Sequence, residues 1–306
     1  MPYTKFVCPD WNSCSIDDCL KECRLKDKLP AERCLSLRTL MAIAEQRVWN
    51  GIPSTTQLLR GTRESYLCLT TEYEVDPQDM LFALYGTKVH AKLEEYQPSG
   101  SSTEIRLFDE ISSGAYDFYM DGILYDLKTY GSYAVAKTLG IHAIEMPDGV
   151  YKSTHKDGKY KKGDPKFKKV YVEGGLKKRF DLAVQLNDYR MKLQRIAKLP
   201  VRKMICEMLV RDGGTYIAKS RGVMRRGELA VINKISDIWI ERFMRKKWYL
   251  LKHHLETETI PPVCRPRERW YDSKTGKSLK CSAYCHARNN CDFGKREIAI
   301  GVDKVD

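Results

Sequence analysis

No stretch of this 306-residue chain is apolar for long enough to cross a bilayer, and nothing near its start resembles a secretory signal. From these absences we expect an intracellular, cytoplasmic protein, not secreted and without a membrane partner. No internal repeat recurs, which argues against a solenoid. No flavin or nucleotide fingerprint accompanies the cysteines, so an iron–sulfur redox protein has little support. Acidic residues are in deficit: 40 Asp and Glu stand against 53 Lys and Arg, a formal net charge of +13. That balance points to a polyanionic partner, nucleic acid ahead of an anionic membrane surface.

What the chain does have is cysteine. There are eleven, an odd number, which in an intracellular protein argues for metal ligation over a disulfide framework. Cys8, Cys14, Cys19, Cys23 and Cys34 crowd a polar segment, residues 1–35, with too few apolar residues for a core of its own. Cys19 and Cys23 share a face if residues 16–24 are helical. Cys8, Cys19, Cys23 and Cys34 suit a second metal site, with Cys14 as bystander; free or structural thiols are the alternative. In the C-terminal segment, residues 261–306, Cys264, Cys281, Cys285 and Cys291 follow a Pro-Pro break with the spacing C-x16-C-x3-C-x5-C. Thiolates so closely grouped repel unless a metal neutralises them, which indicates an iron–sulfur cluster or zinc.

Residues 36–260 form the main unit. Ser36 caps a helix with the apolar stripe Leu37, Leu40, Met41, Ala44 and Val48, closing at Asn50-Gly51. Ser54 and Gln57 make a capping box for the next helix, TTQLLRGTRESYL. Asp76-Pro77 opens a third, reaching Tyr96, with Phe82, Tyr85, Val89 and Leu93 as its buried stripe. Gly86, Thr87, His90 and Glu94 stand on another face, the two small residues allowing close approach to a strand one turn before His90.

The stretch GAYDFYMDGILYDLKTY, residues 114–130, reads as two strands joined by Asp121-Gly122, which tolerate the positive φ of a two-residue hairpin turn. The turn fixes the register: Met120 faces Ile123, Phe118 faces Tyr125, and Asp117 faces Asp126. Alternation then puts Tyr116, Phe118, Met120, Ile123, Tyr125 and Leu127 on a core face, and Ala115, Asp117, Leu124, Asp126 and Lys128 on the other. Like charges directly opposite destabilise a strand pair unless something offsets them. A hard divalent cation between the carboxylates does so, and Lys128 points to the same side. A solvated hairpin face is the bland alternative.

A basic insertion follows, residues 151–179, with eleven Lys and Arg against three acids and with Tyr151, Tyr160, Phe167 and Tyr171 interleaved. It reads as a loop or ribbon that touches phosphates, Lys159, Lys161 and Lys162 among them, and stacks bases; a solvated insertion is the alternative. A helix from Lys177 to Ala197 sets Gln185 and Tyr189 one turn apart. A strand pair around Asp212-Gly213-Gly214 (KMICEMLV, then TYIAKS) and long helices to His254 complete the unit.

In this order the pieces resemble the RecB family of PD-(D/E)XK nucleases. YGTKVHAKLEEY is similar to the family's helix with its metal-binding histidine, here His90. The hairpin is similar to its metal-binding Asp117 and its (D/E)xK pair, Asp126 and Lys128; QLNDY is similar to its Q-x3-Y motif, Gln185 and Tyr189. The resemblance implies a restriction-endonuclease-like α/β core, a central mixed sheet flanked by helices, with Cys-rich N- and C-terminal segments added. It implies a Mg²⁺- or Mn²⁺-dependent deoxyribonuclease, an exonuclease on single-stranded DNA or free ends, working in recombination or repair beside a helicase or recombination partner. His90, Asp117, Asp126 and the backbone carbonyl of Leu127 would hold the metal, Lys128 would serve the attacking water or the transition-state charge, and Gln185 and Tyr189 would bind DNA. Tyr96 and Glu104 lie close in sequence, with nothing to single them out. The terminal cysteines extend the resemblance to the branch with a four-cysteine [4Fe–4S] cluster, the CRISPR-associated and AddB-type exonucleases, with Zn²⁺ as the alternative. The chain departs from that branch in two places: Gly61 stands where an upstream cysteine is usual, with Cys264 or Cys34 to replace it, and C-x3-C replaces C-x2-C. A non-catalytic nucleic-acid-binding protein on the same scaffold is the rival, and it has no use for His90, Asp117, Asp126 and Lys128 together.

Overall fold

The computed structural model describes residues 3–46, 48–176 and 179–302. It begins with a hairpin of β1 (Tyr3–Val7) and β2 (Ser13–Ser15), then α1 (Ile16–Lys21) and α2 (Leu37–Ala44). Next come α3 (Thr55–Leu59), α4 (Thr62–Thr70), β3 (Tyr73–Val75) and α5 (Pro77–Glu94). The middle of the chain holds β4 (Ser102–Thr103), β5 (Arg106–Phe108), β6 (Ser113–Ala115), β7 (Phe118–Met120), β8 (Ile123–Tyr130) and α6 (Ser132–Leu139). A ribbon of β9 (His142–Val150) and β10 (Pro165–Val172) precedes α7 (Phe180–Arg195). Then follow β11 (Lys203–Val210), α8 (Tyr216–Ser220), β12 (Gly227–Ile232), α9 (Asp237–Glu256), β13 (Tyr271–Asp272), β14 (Lys277–Ser278) and α10 (Asp292–Val302). No described helix is long and apolar enough to cross a membrane.

The architecture is mixed α/β. Five strands form the main sheet in the order β12-β11-β8-β7-β4. β8 runs parallel to β11 and antiparallel to β7, so the sheet is mixed. A parallel neighbour requires a crossover, and the chain between β8 and β11 supplies it with α6, the ribbon and α7.

Helix α7 is the hub. Leu182, Leu186, Tyr189 and Leu193 join the core over the sheet, with Leu124, Cys206 and Met208. Val184 and Met191, from its other side, join a second core with Leu58, Tyr66, Ile240 and Met244. Each fully buried Leu or Met contributes about 1.5–3 kcal/mol. Two cations on this helix are buried and therefore paired. Arg190 Nη2 meets Asp237 Oδ1 at 2.6 Å, and Lys192 Nζ meets Asp188 Oδ2 at 2.7 Å and Asp109 Oδ2 at 2.9 Å. Removing one partner of such a pair costs about 3–5 kcal/mol.

Several boundaries differ from the sequence reading. α2 stops at Ala44 and buries Leu40 and Ile43, leaving Val48 exposed. The segment after the Ser54–Gln57 capping box breaks at Gly61 into α3 and α4. TYIAKS is not a strand: the Thr215 hydroxyl accepts from Ala218 N and starts α8, and the partner of β11 is β12. The start placed at Lys177 lies outside the described residues; α7 begins at Phe180. On α5 the expected stripe faces outward, with Phe82 60% and Tyr85 48% exposed. The helix touches the sheet instead through Gly86, where a Cβ would lie 3.3 Å from Thr129 Oγ1.

The hairpin register is as read, with Phe118 opposite Tyr125 and Met120 opposite Ile123. Its face assignment needs correction. Tyr116 and Leu127 are buried, but so are Tyr119, Leu124 and Asp126, while Phe118, Met120, Ile123 and Tyr125 are half-exposed. β8 is an interior strand covered on both sides, so alternation alone does not name the inner face. Asp121 and Gly122 have φ of +50° and +77°, and a Cβ on Gly122 would also crowd Arg202 Nε at 2.7 Å. Gly122→Ala is expected to cost about 1–2 kcal/mol from the left-handed backbone alone, read as a lower urea midpoint at unchanged slope.

Candidate active site

The hairpin positions Asp117 one residue before β7 and Asp126 within β8. Their strands are in register, so both carboxylates reach the same side, where α5 brings His90. His90 Nδ1 lies 3.3 Å from Glu104 Oε1 and 3.7 Å from Asp117 Oδ1. His90, Glu104 and Asp117 each offer a ligand atom within 4.8 Å of the others, and no other described His, Cys, Asp or Glu trio does so. Glu104 is the residue sequence reasoning left aside. Its backbone is left-handed, φ +50°, and its N–H donates to the Asp117 carbonyl at 3.3 Å, a local fold that no periodicity reveals.

Asp126 is 1% exposed. Its Oδ2 is paired with Lys128 Nζ at 2.6 Å, while Oδ1 accepts from Gln185 Nε2 at 3.4 Å. Gln185 Nε2 also reaches Tyr189 OH at 3.1 Å. Both α7 side chains are buried, with Gln185 set between Asp126 and Tyr189. Gly114 makes room for this, since a Cβ there would lie 2.5 Å from Tyr189 Cε1. Lys128 Nζ also donates to the Leu127 carbonyl at 3.2 Å, and Leu127 N donates to Asp117 Oδ2 at 2.5 Å.

The electrostatics follow from crowding. Burial, then the charge of Asp126, pushes Asp117 up to about 7 against the pull of Lys128 and His90. The hydrogen bond to Glu104 raises His90, burial opposes it, and Asp117 adds to the rise. Burial lowers Lys128, but Asp126 and Asp117 together outweigh it and hold the ammonium protonated. The two carboxylates and one imidazole of His90, Glu104 and Asp117 are a donor set that fits a hard divalent ion such as Mg²⁺ or Mn²⁺. Beside the trio lies a cavity of about 200 Å³ bordered by Leu93, Tyr96, Phe118 and Tyr125.

The C-terminal cysteines surround a second cavity. Cys264, Cys281, Cys285 and Cys291 line it with Arg63, Glu64 and Leu67 of α4. A side chain at Gly61 would run into Cys264 Sγ; the thiol fills that place, and Cys34 belongs elsewhere, with the N-terminal core. Burial and the neighbouring Cys264 and Cys291 push Cys281 up to about 11. No three of the thiols lie within 4.8 Å of one another. A lone Zn²⁺, at about 2.3 Å from each sulfur, would need them drawn to about 3.8 Å of one another. Lys280 Nζ closes the segment onto α4 by a 2.5 Å pair with buried Glu64.

Lys159, Lys161 and Lys162 sit at the exposed tip of the β9–β10 ribbon, where Tyr151 and Tyr160 stack at 3.6 Å. None of the three makes an ion pair with a described residue. No family model and no curated protein matches the chain. Among solved structures it is similar to one described as the crystal structure of SSO0001, with 14% identity and a TM-score of 0.42, covering 83% of this chain and 93% of that one. A likeness of this size carries no argument about fold or activity.

A carboxyl raised from 3.8 to about 7 binds more protons folded than unfolded. Its stabilising contribution is complete below pH 3.8 and is lost as pH rises through 7. In EDTA, Asp117→Asn should therefore gain thermal stability relative to the unmutated protein between pH 5 and pH 7.5. A difference independent of pH would show that Asp117 is not perturbed.

Proposed function

We propose that the protein is a Mg²⁺- or Mn²⁺-dependent deoxyribonuclease of the RecB-like PD-(D/E)XK type, built on a restriction-endonuclease-like core. The observation that carries this reading is the convergence of His90, Glu104 and Asp117 beside the buried Asp126–Lys128 pair, on a hairpin where repulsion between facing carboxylates calls for a cation. The basic ribbon, with unpaired lysines at its tip and stacked tyrosines, supports a nucleic-acid substrate. Exonucleolytic action on single strands or free ends, inside the cell and beside a helicase or recombination partner, rests on the family resemblance.

In this reading His90, Glu104, Asp117, Asp126 and the Leu127 carbonyl hold the metal, which when bound polarises the scissile phosphate and lowers the pKa of the attacking water. Lys128, kept protonated by its two carboxylates, sits where it can orient that water or meet the charge gathering on phosphorus. Gln185 and Tyr189 fix the rotamer of Asp126. Cys264, Cys281, Cys285 and Cys291 hold a [4Fe–4S] cluster that closes the C-terminal segment onto α4, zinc being the alternative occupant.

End-labelled single- and double-stranded DNA should be degraded with Mg²⁺ or Mn²⁺ and left intact in EDTA or by Asp126→Ala. Full activity under either condition would sink the reading, and binding without cleavage would indicate the non-catalytic rival. Lys128→Ala should lower kcat by about 10²–10³-fold with metal affinity largely kept. Gln185→Leu should lower kcat at unchanged DNA affinity; weaker DNA binding at unchanged kcat would restore the direct contact.

A further inference from the structure

The five N-terminal cysteines come from separate stretches of chain, and the fold gathers them. Cys8 opens the β1–β2 turn, Cys14 lies on β2, Cys19 on α1, Cys23 just beyond α1, and Cys34 two residues before the Ser36 cap of α2. All are free thiols. Cys8 Sγ is 3.5 Å from Cys14 Sγ, a sulfur contact without a bond. Arg24 Nε donates to Cys8 Sγ at 3.4 Å. Cys14, Cys19 and Cys34 share one small core with Tyr3, Phe6, Leu40, Ile43 and Val75. Cys14, taken as bystander from spacing, is therefore at the centre of the group.

Such a core is too small to hold its segment alone, and segments of this kind are commonly completed by a metal. Around Zn²⁺, Zn–S bonds of about 2.3 Å give tetrahedral edges of about 3.8 Å, and the Cys8–Cys14 pair already stands near one such edge. No three of the thiols yet lie within 4.8 Å, so side-chain rotations must bring the remaining two inward when the ion binds.

We propose that Cys8, Cys14, Cys19 and Cys34 bind one structural zinc ion, with Cys23 outside its coordination sphere. The site is separate from the carboxylate centre and the C-terminal cysteines, and it stands independently of the nuclease reading. It ties the β1–β2 hairpin to α2. Through the core shared with Met80, Leu81 and Leu84 it braces α5, the helix that carries His90.

The test is the zinc content of the full-length protein, purified under reducing conditions with zinc supplied. One equivalent should disappear in Cys14→Ser and in Cys34→Ser and remain in Cys23→Ser and in Cys285→Ser. The last variant separates this ion from any at the C-terminal cysteines. Because a serine variant can fail to fold, the unmutated protein is also footprinted with iodoacetamide. Cys23 should react, while Cys8, Cys14, Cys19 and Cys34 are protected until a zinc chelator is added. Unchanged zinc in Cys14→Ser, loss of zinc in Cys23→Ser, chelator-independent alkylation of all five, or a Cys8–Cys14 disulfide would each overturn the proposal.

Discussion

Two interacting carboxylates on one hairpin, Asp117 just before β7 and Asp126 within β8, are the constraint around which this protein is arranged. Asp117 and Asp126 cannot separate without unzipping the hairpin, because the Asp121-Gly122 turn fixes their register. Asp126 cannot escape to solvent either, since it is buried in an interior strand. The surroundings answer this confinement: an ammonium at 2.6 Å, an amide from α7, and an imidazole brought across by α5. The cost of the confinement falls on Asp117, which burial and the charge of Asp126 push up to about 7.

The residues of the site were legible where their spacing followed a turn or a period. Asp121-Gly122 set the register, Asp76-Pro77 the start of α5, and Ser54 with Gln57 the capping box. Glu104 was not legible, because a left-handed non-glycine residue in a loop carries no pattern. Burial was the other blind spot. Phe82 and Tyr85 look like a core stripe, yet the packing of α5 on the sheet is set by the absence of a side chain at Gly86. Gln185 and Tyr189 were legible as a pair one turn apart, but not their burial on a helix enclosed on nearly every side. The break at Gly61 depends on Cys264, far along the chain, and local propensity contains nothing of it.

The candidate ligands are partitioned by hardness. Oxygen and imidazole donors converge at the sheet, and sulfur donors collect in the terminal segments, so a soft ion and a hard one have little reason to compete. The charge is partitioned too. Lysines free of internal partners cluster at the ribbon tip, while those inside the fold, Lys128 and Lys192, are each held by carboxylates. In the proposed nuclease, long-range attraction and local chemistry would fall to different cations.

The closing of the C-terminal segment onto α4 bears on the order in which the molecule comes into being. Glu64 and its partner Lys280 are 216 residues apart, and Cys264 fills the gap at Gly61 from a similar distance. During synthesis α4 therefore emerges long before the residues that cover it, with Glu64 and Leu67 unprotected in the interval. The four C-terminal cysteines can gather only once Cys291 has been made, well after the strands of the sheet and α7. A prematurely terminated product would carry the carboxylate hairpin intact but leave α4 bare, marking it for capture by chaperones or proteases.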